Sequence, residues 1–358
     1  FQFAGIASGK LRGKFDATTA QTTMAVDGRL LLTLPAVGGP LLRGDELRLA
    51  QIDLPLKASL LGRRLQIDQL AVECDLASVA AQLVVDDYTK LLASGNLTGF
   101  LNLLTQCDGQ ATARVSLAKI AQAMPHVMRL RDDVQVTGGE VTLGVTSRRN
   151  PAGTRSWQAD LNATSLTATA RGQAVTWEQP LAAVITAVDT PTGPVLQQVT
   201  CRSDFLLIEG VNSPAEFQMN AQYSLDRLTE RLDQFVDLVG LQCRGQGTAQ
   251  GTWTREQADR FRVEGTASIN DFQLLAPGYP NWTERQLVVG VRALGRASGL
   301  NIVALEEATL GLESAGDQLT ARLTAPVTDF ANPQAVLPLA VEGRGQLTTW
   351  LARLRPFI

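Results

Sequence analysis

The sequence predicts a mainly β fold in which curved antiparallel sheets form a repeat array with an open groove and one short helix in each repeat. Three observations predict it. Apolar and polar side chains alternate over many short segments, turn-forming clusters separate those segments, and one helix-plus-strands pattern recurs along the 358 residues. With 45% hydrophobic residues, the chain can bury a substantial core.

The alternation is strict in Leu70–Leu76, where apolar residues take every second position. Because successive side chains of a strand point to opposite faces, such a segment has one apolar and one wet face. The same pattern occurs in Val134–Val136, Val141–Val145, Val263–Ile269 and Leu319–Leu323. Turn-forming clusters at Gly38–Pro40, Asn150–Gly153 and Pro191–Pro194 favour short connections between antiparallel strands.

Three segments with helical spacing recur along the chain. Ser116 and Ser224 each precede one of them and are predicted N-caps. Apolar residues then follow at spacings of three, four and seven, which mark one face of a helix. They are Leu117, Ile120, Ala121 and Met124; then Leu225, Leu228, Leu232 and Phe235; then Leu347, Trp350, Leu351 and Leu354.

These helices define a repeat of roughly 110 residues. We predict a partial first repeat, mostly strands, over 1–115, a second repeat over 116–223 and a third over 224–345, each a helix followed by strands. Residues 346–358 are predicted to be a helix that opens a truncated further repeat. The ends of the chain indicate a fragment of a longer protein.

Placing Asp75, Asp204 and Glu313 in register aligns three copies of one strand. Apolar positions then stay mostly apolar, and polar positions stay mostly polar, across the three copies. The apolar positions, together with the alternating strand at Leu319–Leu323, predict a set that we call the candidate groove residues. They are Leu70, Val72, Cys74, Val199, Cys201, Leu310, Leu312, Leu319 and Leu323. From the residues alone, this face is either ordinary core or an open apolar trough.

Composition and motifs argue against several functional classes. The formal net charge is −3 and no run of Lys or Arg occurs, so a nucleic-acid partner is not expected. We find no catalytic motif, and therefore predict that the protein is not an enzyme. His126 and the scattered Cys74, Cys107, Cys201 and Cys243 do not have metal-ligand spacing, so no metal is predicted. The cysteines are either disulfides or buried thiols.

Trp177 and Trp282 recur at the same place in two copies, just before a strand. They would serve either as anchors at an interface or membrane surface, or as buried residues that seal a repeat. Burial is the stronger expectation, because a large aromatic side chain buries much apolar area.

The segments Ser116–Arg148 and Ser224–Arg255, each continuing to Trp177-Glu178 or Trp282-Thr283-Glu284, resemble repeat units of the AsmA-like bacterial envelope proteins, the group that includes TamB. The resemblance implies an elongated, taco-like β-sheet with an apolar groove. It also implies a periplasmic or cell-envelope location, with an inner-membrane anchor outside this fragment.

The function that the resemblance implies is phospholipid movement between membranes, or support of outer-membrane assembly. No cofactor is expected, apart from a bound phospholipid or fatty acid, and the implied partners are lipids and envelope or outer-membrane assembly proteins. The alternative is a scaffold β-repeat protein with a fully packed core and protein partners. An enzyme or carbohydrate-binding protein is a third class, disfavoured by the 5% aromatic content and the missing motifs.

Overall fold

A computed structural model describes residues 2–17, 22–39, 42–89, 107–151, 153–190, 193–213, 216–256, 259–298, 301–330, 336–346, 348 and 350. Strands make up 70% of the structure and helices 9%, and the strands form a large antiparallel sheet that is not closed. The predictions of a mainly β, antiparallel and open fold are confirmed. The contacts divide the chain into a first unit, Phe1–Ala182, and a second unit, Ala183–Ile358.

The strands and helices have the following bounds. In the first unit they are β1 Gln2–Ala17, β2 Thr22–Gly38, β3 Leu47–Arg48, β4 Gln51–Leu61, β5 Arg64–Cys74, β6 Ala77–Val85, β7 Asp108–Ser116, α1 Leu117–Ala123, α2 Pro125–Met128, β8 Val134–Gly138, β9 Glu140–Arg149, β10 Arg155–Ala163, β11 Leu166–Ala170 and β12 Gln173–Trp177. Strand β13, Leu181–Thr190, contains the division between the units. In the second unit they are β14 Gly193–Arg202, β15 Leu206–Asn212, β16 Phe217–Ser224, α3 Leu225–Asp233, β17 Gln242–Arg255, β18 Arg260–Leu275, β19 Trp282–Ser298, β20 Asn301–Ser314, β21 Asp317–Leu323 and β22 Leu339–Arg344.

In the first unit, the strands pair in the order β1, β2, β4, β5, β6, β7, β9 and β10, and every pairing is antiparallel. The two-residue β3 also pairs with β2. Strands β8, β11 and β12 form a separate three-stranded sheet with β11 in the middle. That small sheet contains the buried Val136, Ala168 and Trp177.

In the second unit, β14 to β22 pair in the order of the sequence, each strand antiparallel to the next. Its buried cluster consists of Phe272, Trp282 and Leu287, which lie on β18 and β19. Leu225 of α3 is among the half-buried residues that pack against the cluster. The expected burial of Trp177 and Trp282 is therefore observed, at 8% and 9% exposure.

Two of the three predicted helices begin where the sequence places them. The hydroxyl oxygen of Ser116 accepts a hydrogen bond from Lys119 N–H, and that of Ser224 accepts one from Arg227 N–H. Both serines have extended backbones, as N-caps do. Within the third predicted helix, the described residues are Gln346, Thr348 and Trp350, of which Thr348 and Trp350 are helical. The rest of 346–358 lies outside the described residues.

A glycine with positive φ lies in the strand region that follows each of these helices. Gly139 (φ 120°) separates β8 from β9, and Gly245 (φ 129°) produces a bulge within β17. The backbone at both sites is bonded to the helix: Leu117 N–H donates to Gly139 O at 3.0 Å, and Gly245 N–H donates to Asp226 Oδ2 at 3.0 Å. Only glycine adopts this conformation without strain. A repeat array with one helix in each repeat stays a prediction.

Asp45 connects the segment before β3 with the short helix α2. One carboxylate oxygen lies 2.5 Å from Nδ1 of His126, and the other accepts from Val127 N–H at 2.9 Å. Burial raises the pKa of Asp45, but these hydrogen bonds outweigh it and hold the pKa below its usual value. The ionised carboxylate is therefore the form that stabilises the folded state.

We expect Asp45→Asn to lower the free energy of unfolding at neutral pH by about 1 kcal/mol, because asparagine replaces a charged acceptor. A lowered pKa means that the stabilisation is complete above the unfolded-state pKa of about 3.9 and is lost as the pH falls through the folded-state value. Urea unfolding at several pH values measures both effects. The difference between wild type and variant should shrink in acid, and a difference that grows there would contradict the assignment.

Candidate functional site

Cross-strand pairing shows which side chains share a face of the sheet, because directly paired residues of antiparallel strands point to the same side. In the first unit, one continuous row of paired positions crosses seven strands, from β2 to β10, and contains no polar side chain. It consists of Gly28, Leu56, Leu70, Ala81, Ala111, Val145 and Ala159. A second row on the same face consists of Val72, Val79, Ala113, Leu143 and Leu161.

The other face of the first unit is polar. One of its rows runs through Gln82, Gln110, Thr146 and Gln158, and Gln110 donates to Gln82 at 3.0 Å. The same face carries Arg29, which donates to both carboxylate oxygens of Asp53 on the neighbouring strand. The hydrogen bonds from Arg29 lower the pKa of Asp53, although burial opposes the shift.

The second unit segregates its side chains in the same way over all nine strands. One apolar row consists of Val199, Gly210, Met219, Gly251, Gly265, Val291, Leu310, Ala321 and Val341. The adjacent apolar row consists of Cys201, Ile208, Ala221, Ala249, Ala267, Val289, Leu312, Leu319 and Gly343. The opposite face carries the row Thr200, Glu209, Asn220, Gln250, Thr266, Gly290, Gly311, Thr320 and Glu342.

Much of this apolar surface is accessible to solvent. In the first unit Leu70 and Val72 are 38% and 37% exposed, and in the second unit Val291 and Leu310 are 44% and 50% exposed. Residues of a packed core lose nearly all of their accessible surface, whereas these retain a third to a half. Large contiguous patches of exposed apolar surface are typical of interaction sites.

The structure places all nine candidate groove residues on the apolar face of their own unit. Leu70, Val72 and Cys74 lie side by side on β5 in the first unit. The other six occupy β14, β20 and β21 of the second unit, in the two rows above and, for Leu323, in the row that pairs it with Leu339. Sequence alternation therefore identified a real face, although whether that face binds a ligand stays a prediction.

A cleft of about 750 Å³ lies on the apolar face of the second unit. Four small residues on β17 and β18, Ala249, Gly251, Gly265 and Ala267, lie at its centre, and we call this set the glycine basin. Gly251 is paired directly with Gly265, so neither strand projects a side chain there. The neighbouring strands supply the sides, with Met219 and Phe217 from β16, and Val289 and Val291 from β19.

Trp253, which lines the cleft, belongs to an aromatic pair. Trp253 stacks on Phe261 with ring centroids 4.7 Å apart and an interplanar angle of 13°. Beyond them Arg255, also part of the lining, is paired with Phe261 and so lies on the apolar face. Of the two acidic residues in the lining, Glu264 is on the opposite face, paired with Arg292, and Glu216 precedes β16.

The four cysteines are free thiols. The sequence allowed disulfides or buried thiols; the structure has thiols, of which Cys107 is buried and Cys74, Cys201 and Cys243 are half-buried. Burial raises the pKa of Cys107, Cys201 and Cys243, and the charge of Asp226 raises that of Cys243 further. A thiol with a raised pKa carries little thiolate at neutral pH and is a poor nucleophile.

Among the described residues, no group of three or more His, Cys, Asp or Glu side chains is arranged to hold a metal ion. No helix in the described part of the chain has both the length and the apolar character needed to cross a bilayer.

The glycine basin and the aromatic pair were missed by sequence reasoning. Alternation assigned Val263–Ile269 to a strand without showing that Gly265 would face Gly251, because that pairing depends on the register between two strands. The available signal was a glycine at an apolar position of each strand, Gly251 two residues before Trp253 and Gly265 two residues after Val263.

Comparison with known proteins identifies no relative. No family model, no curated protein and no solved structure matches the chain.

Proposed function

We propose that the protein is a non-catalytic binding protein whose apolar β-sheet faces bind phospholipid acyl chains and conduct them between membranes or support outer-membrane assembly. The observation that carries the proposal is the continuous apolar row across nine strands of the second unit, with Val291 and Leu310 about half exposed. At about 4.8 Å per strand, this row is about 38 Å long. That exceeds the ~30 Å hydrocarbon thickness of a bilayer.

Acyl chains suit this surface because they gain about 0.8 kcal/mol for each methylene removed from water and need no hydrogen bonds from the protein. The apolar rows carry no charged side chain and, apart from the thiol of Cys201, no side-chain hydrogen-bond donor, whereas a soluble polar ligand would require both. The scaffold alternative requires a fully packed core. In that case Leu310 and Val291 would be buried, and their exposure favours the lipid-binding proposal.

The resemblance to AsmA-like envelope proteins supports the same proposal. In this proposal the chain is a segment of a periplasmic, inner-membrane-anchored protein built from repeats of one helix and several strands. Its partners are lipids, together with envelope or outer-membrane assembly proteins. The similar surroundings of Gly139 and Gly245, each bonded to the helix before it, agree with such repeats.

Native mass spectrometry of the chain purified in a mild detergent, followed by solvent extraction and lipid analysis, tests the proposal. We expect phospholipid to remain bound to the protein and to exchange with lipid from added vesicles. An unrelated soluble β-protein prepared in parallel controls for carry-over. A chain that neither retains phospholipid nor takes it up from vesicles would overturn the proposal.

A further inference from the structure

Two turns of the second unit present large apolar residues to solvent at one end of its strands. The first turn connects α3 to β17 and carries Val239 and Leu241, and the second connects β18 to β19 and carries Tyr279. These three residues, which we call the apolar tip, are 69%, 44% and 43% exposed. The two turns are in contact, since a Cβ at Gly240 would lie only 2.8 Å from Cγ of Pro277.

The backbone of Val239 is strained. Its φ is 53°, in the left-handed region, where a β-branched residue is a genuine outlier. Glycine or asparagine adopts this conformation at lower cost. Valine therefore brings the fold no advantage here, because it strains the backbone and leaves its side chain largely in water. Strained residues of this kind cluster at functional sites.

The backbone of both turns is suited to an apolar environment. The N–H groups of the three tip residues donate hydrogen bonds within their own turns. Their acceptors are, in order, Asp237 Oδ1 at 2.8 Å, Leu238 O at 2.9 Å and Ala276 O at 3.1 Å. An unpaired N–H is costly to remove from water, so this bonding lowers the cost of desolvating the turns. Asp237 is the one charged residue in 234–241 and 276–281.

The exposed area of the tip is small for a protein interface. Even if each side chain had the ~200 Å² of an aromatic residue, the exposed fractions would amount to about 300 Å². A specific protein interface buries about 800 Å² on each partner. A bilayer needs no complementary shape, and tyrosine is enriched at its interface, where the ring meets the apolar layer and the hydroxyl meets the headgroups.

We propose that the apolar tip docks the second unit on a phospholipid bilayer, with Val239 and Leu241 inserted in the interface and Tyr279 at the level of the headgroups. This inference rests on the proposed function, because a sheet that exchanges lipid with membranes has to meet them. It adds a contact surface in the turns to the apolar face of the strands. Three side chains, like a single myristoyl group, give reversible binding.

Val239→Asn tests the docking without endangering the fold. Asparagine tolerates the left-handed conformation, so the urea midpoint of unfolding should stay unchanged or rise. Wild type should co-sediment with phosphatidylcholine vesicles. The variant should bind them at least about fivefold more weakly, because a polar amide replaces an apolar side chain. Tyr279→Ser, which removes the ring, should also weaken the binding.

Val211→Asn is the matched control. Val211 is also largely exposed, but it pairs with Gln218 on the polar face, and Gln218 in turn pairs with Thr252 near the far end of β17. The control therefore lies at the other end of these strands, and its affinity for vesicles should equal that of the wild type. Equal losses in Val211→Asn and Val239→Asn, or no loss in Val239→Asn, would overturn the proposal.

The composition of the vesicles tests the kind of contact. The tip carries no cationic residue, so anionic lipid and salt should change the binding little. Binding that requires anionic lipid and disappears at high salt would count against the apolar tip. Dimerisation of the wild type that Val239→Asn abolishes would assign the tip to a second copy of the chain instead.

Native mass spectrometry separates this proposal from the proposed function. Val239→Asn should retain as much phospholipid as the wild type, because the apolar face of the strands is unchanged. A wild type that retains phospholipid but does not bind vesicles would refute the docking and leave the proposed function standing. A wild type that does neither would remove both.

Discussion

Replacing Trp282 with alanine is expected to lower the free energy of unfolding of the second unit by about 3–5 kcal/mol. The indole is buried, lies edge-to-face on Phe272 with centroids 5.2 Å apart, and donates from Nε1 to Glu284 Oε1 at 2.7 Å. Alanine would leave a cavity and remove one hydrogen bond from a buried carboxylate, which Ser314 also contacts. Chemical denaturation followed by circular dichroism measures the loss.

Trp253→Ala is the matched control for this prediction. Trp253 is half-buried and lines the cleft, so its removal should cost clearly less than the removal of Trp282. Trp282→Phe should fall between the two, because it retains an aromatic ring against Phe272 and loses only the donor. Equal destabilisation by Trp282→Ala and Trp253→Ala would show that the cluster around Phe272 is not the core of the second unit.

A pair of carboxylates on the apolar face is expected to abolish lipid retention while leaving the fold intact. Val291 and Leu310 are paired across β19 and β20 and are about half exposed, so Val291→Asp with Leu310→Asp should cost little stability. An acyl chain over these positions would have to desolvate two charges, at a cost of several kcal/mol. We expect the retained phospholipid, measured by native mass spectrometry, to fall at least about tenfold.

The control places the same two charges on the other face of the same strands. Gly290 and Gly311 are paired with each other on the polar face, and a Cβ at either meets nothing within 4 Å. Gly290→Asp with Gly311→Asp should therefore retain wild-type amounts of lipid. A scaffold protein predicts no difference in lipid between the two double variants, and this result would favour the alternative function.

The faces of the strands could be predicted from sequence because alternation is a local property. Leu70, Val72 and Cys74 take every second position of one strand and therefore share a face, whichever strands pair with it. The N-caps Ser116 and Ser224 were predictable on similar grounds, since a cap bonds to its own helix. Local sequence patterns were therefore sufficient to predict the mainly β class, the two helix starts and the candidate groove residues.

The features that escaped prediction depend on contacts between distant residues. The cleft exists because Gly251 meets Gly265, and that match is set by the register of β17 on β18. The separate sheet of β8, β11 and β12 depends on Gly139 and on the chain leaving β10 after Ala163. Two similar segments thus behave differently: the strand breaks at Gly139 and continues through a bulge at Gly245.

The sequential pairing of β14 to β22 has a consequence for how such a sheet can change in size. Each strand from β15 to β21 pairs with the strand before it and the strand after it in the chain, so the described pairings of these strands join sequence neighbours. Inserting or deleting one hairpin would lengthen or shorten the apolar surface by about 9.6 Å, two strand spacings, and would leave the remaining registers unchanged. The reach of this surface can therefore be adjusted hairpin by hairpin, without redesign of the strands already in place.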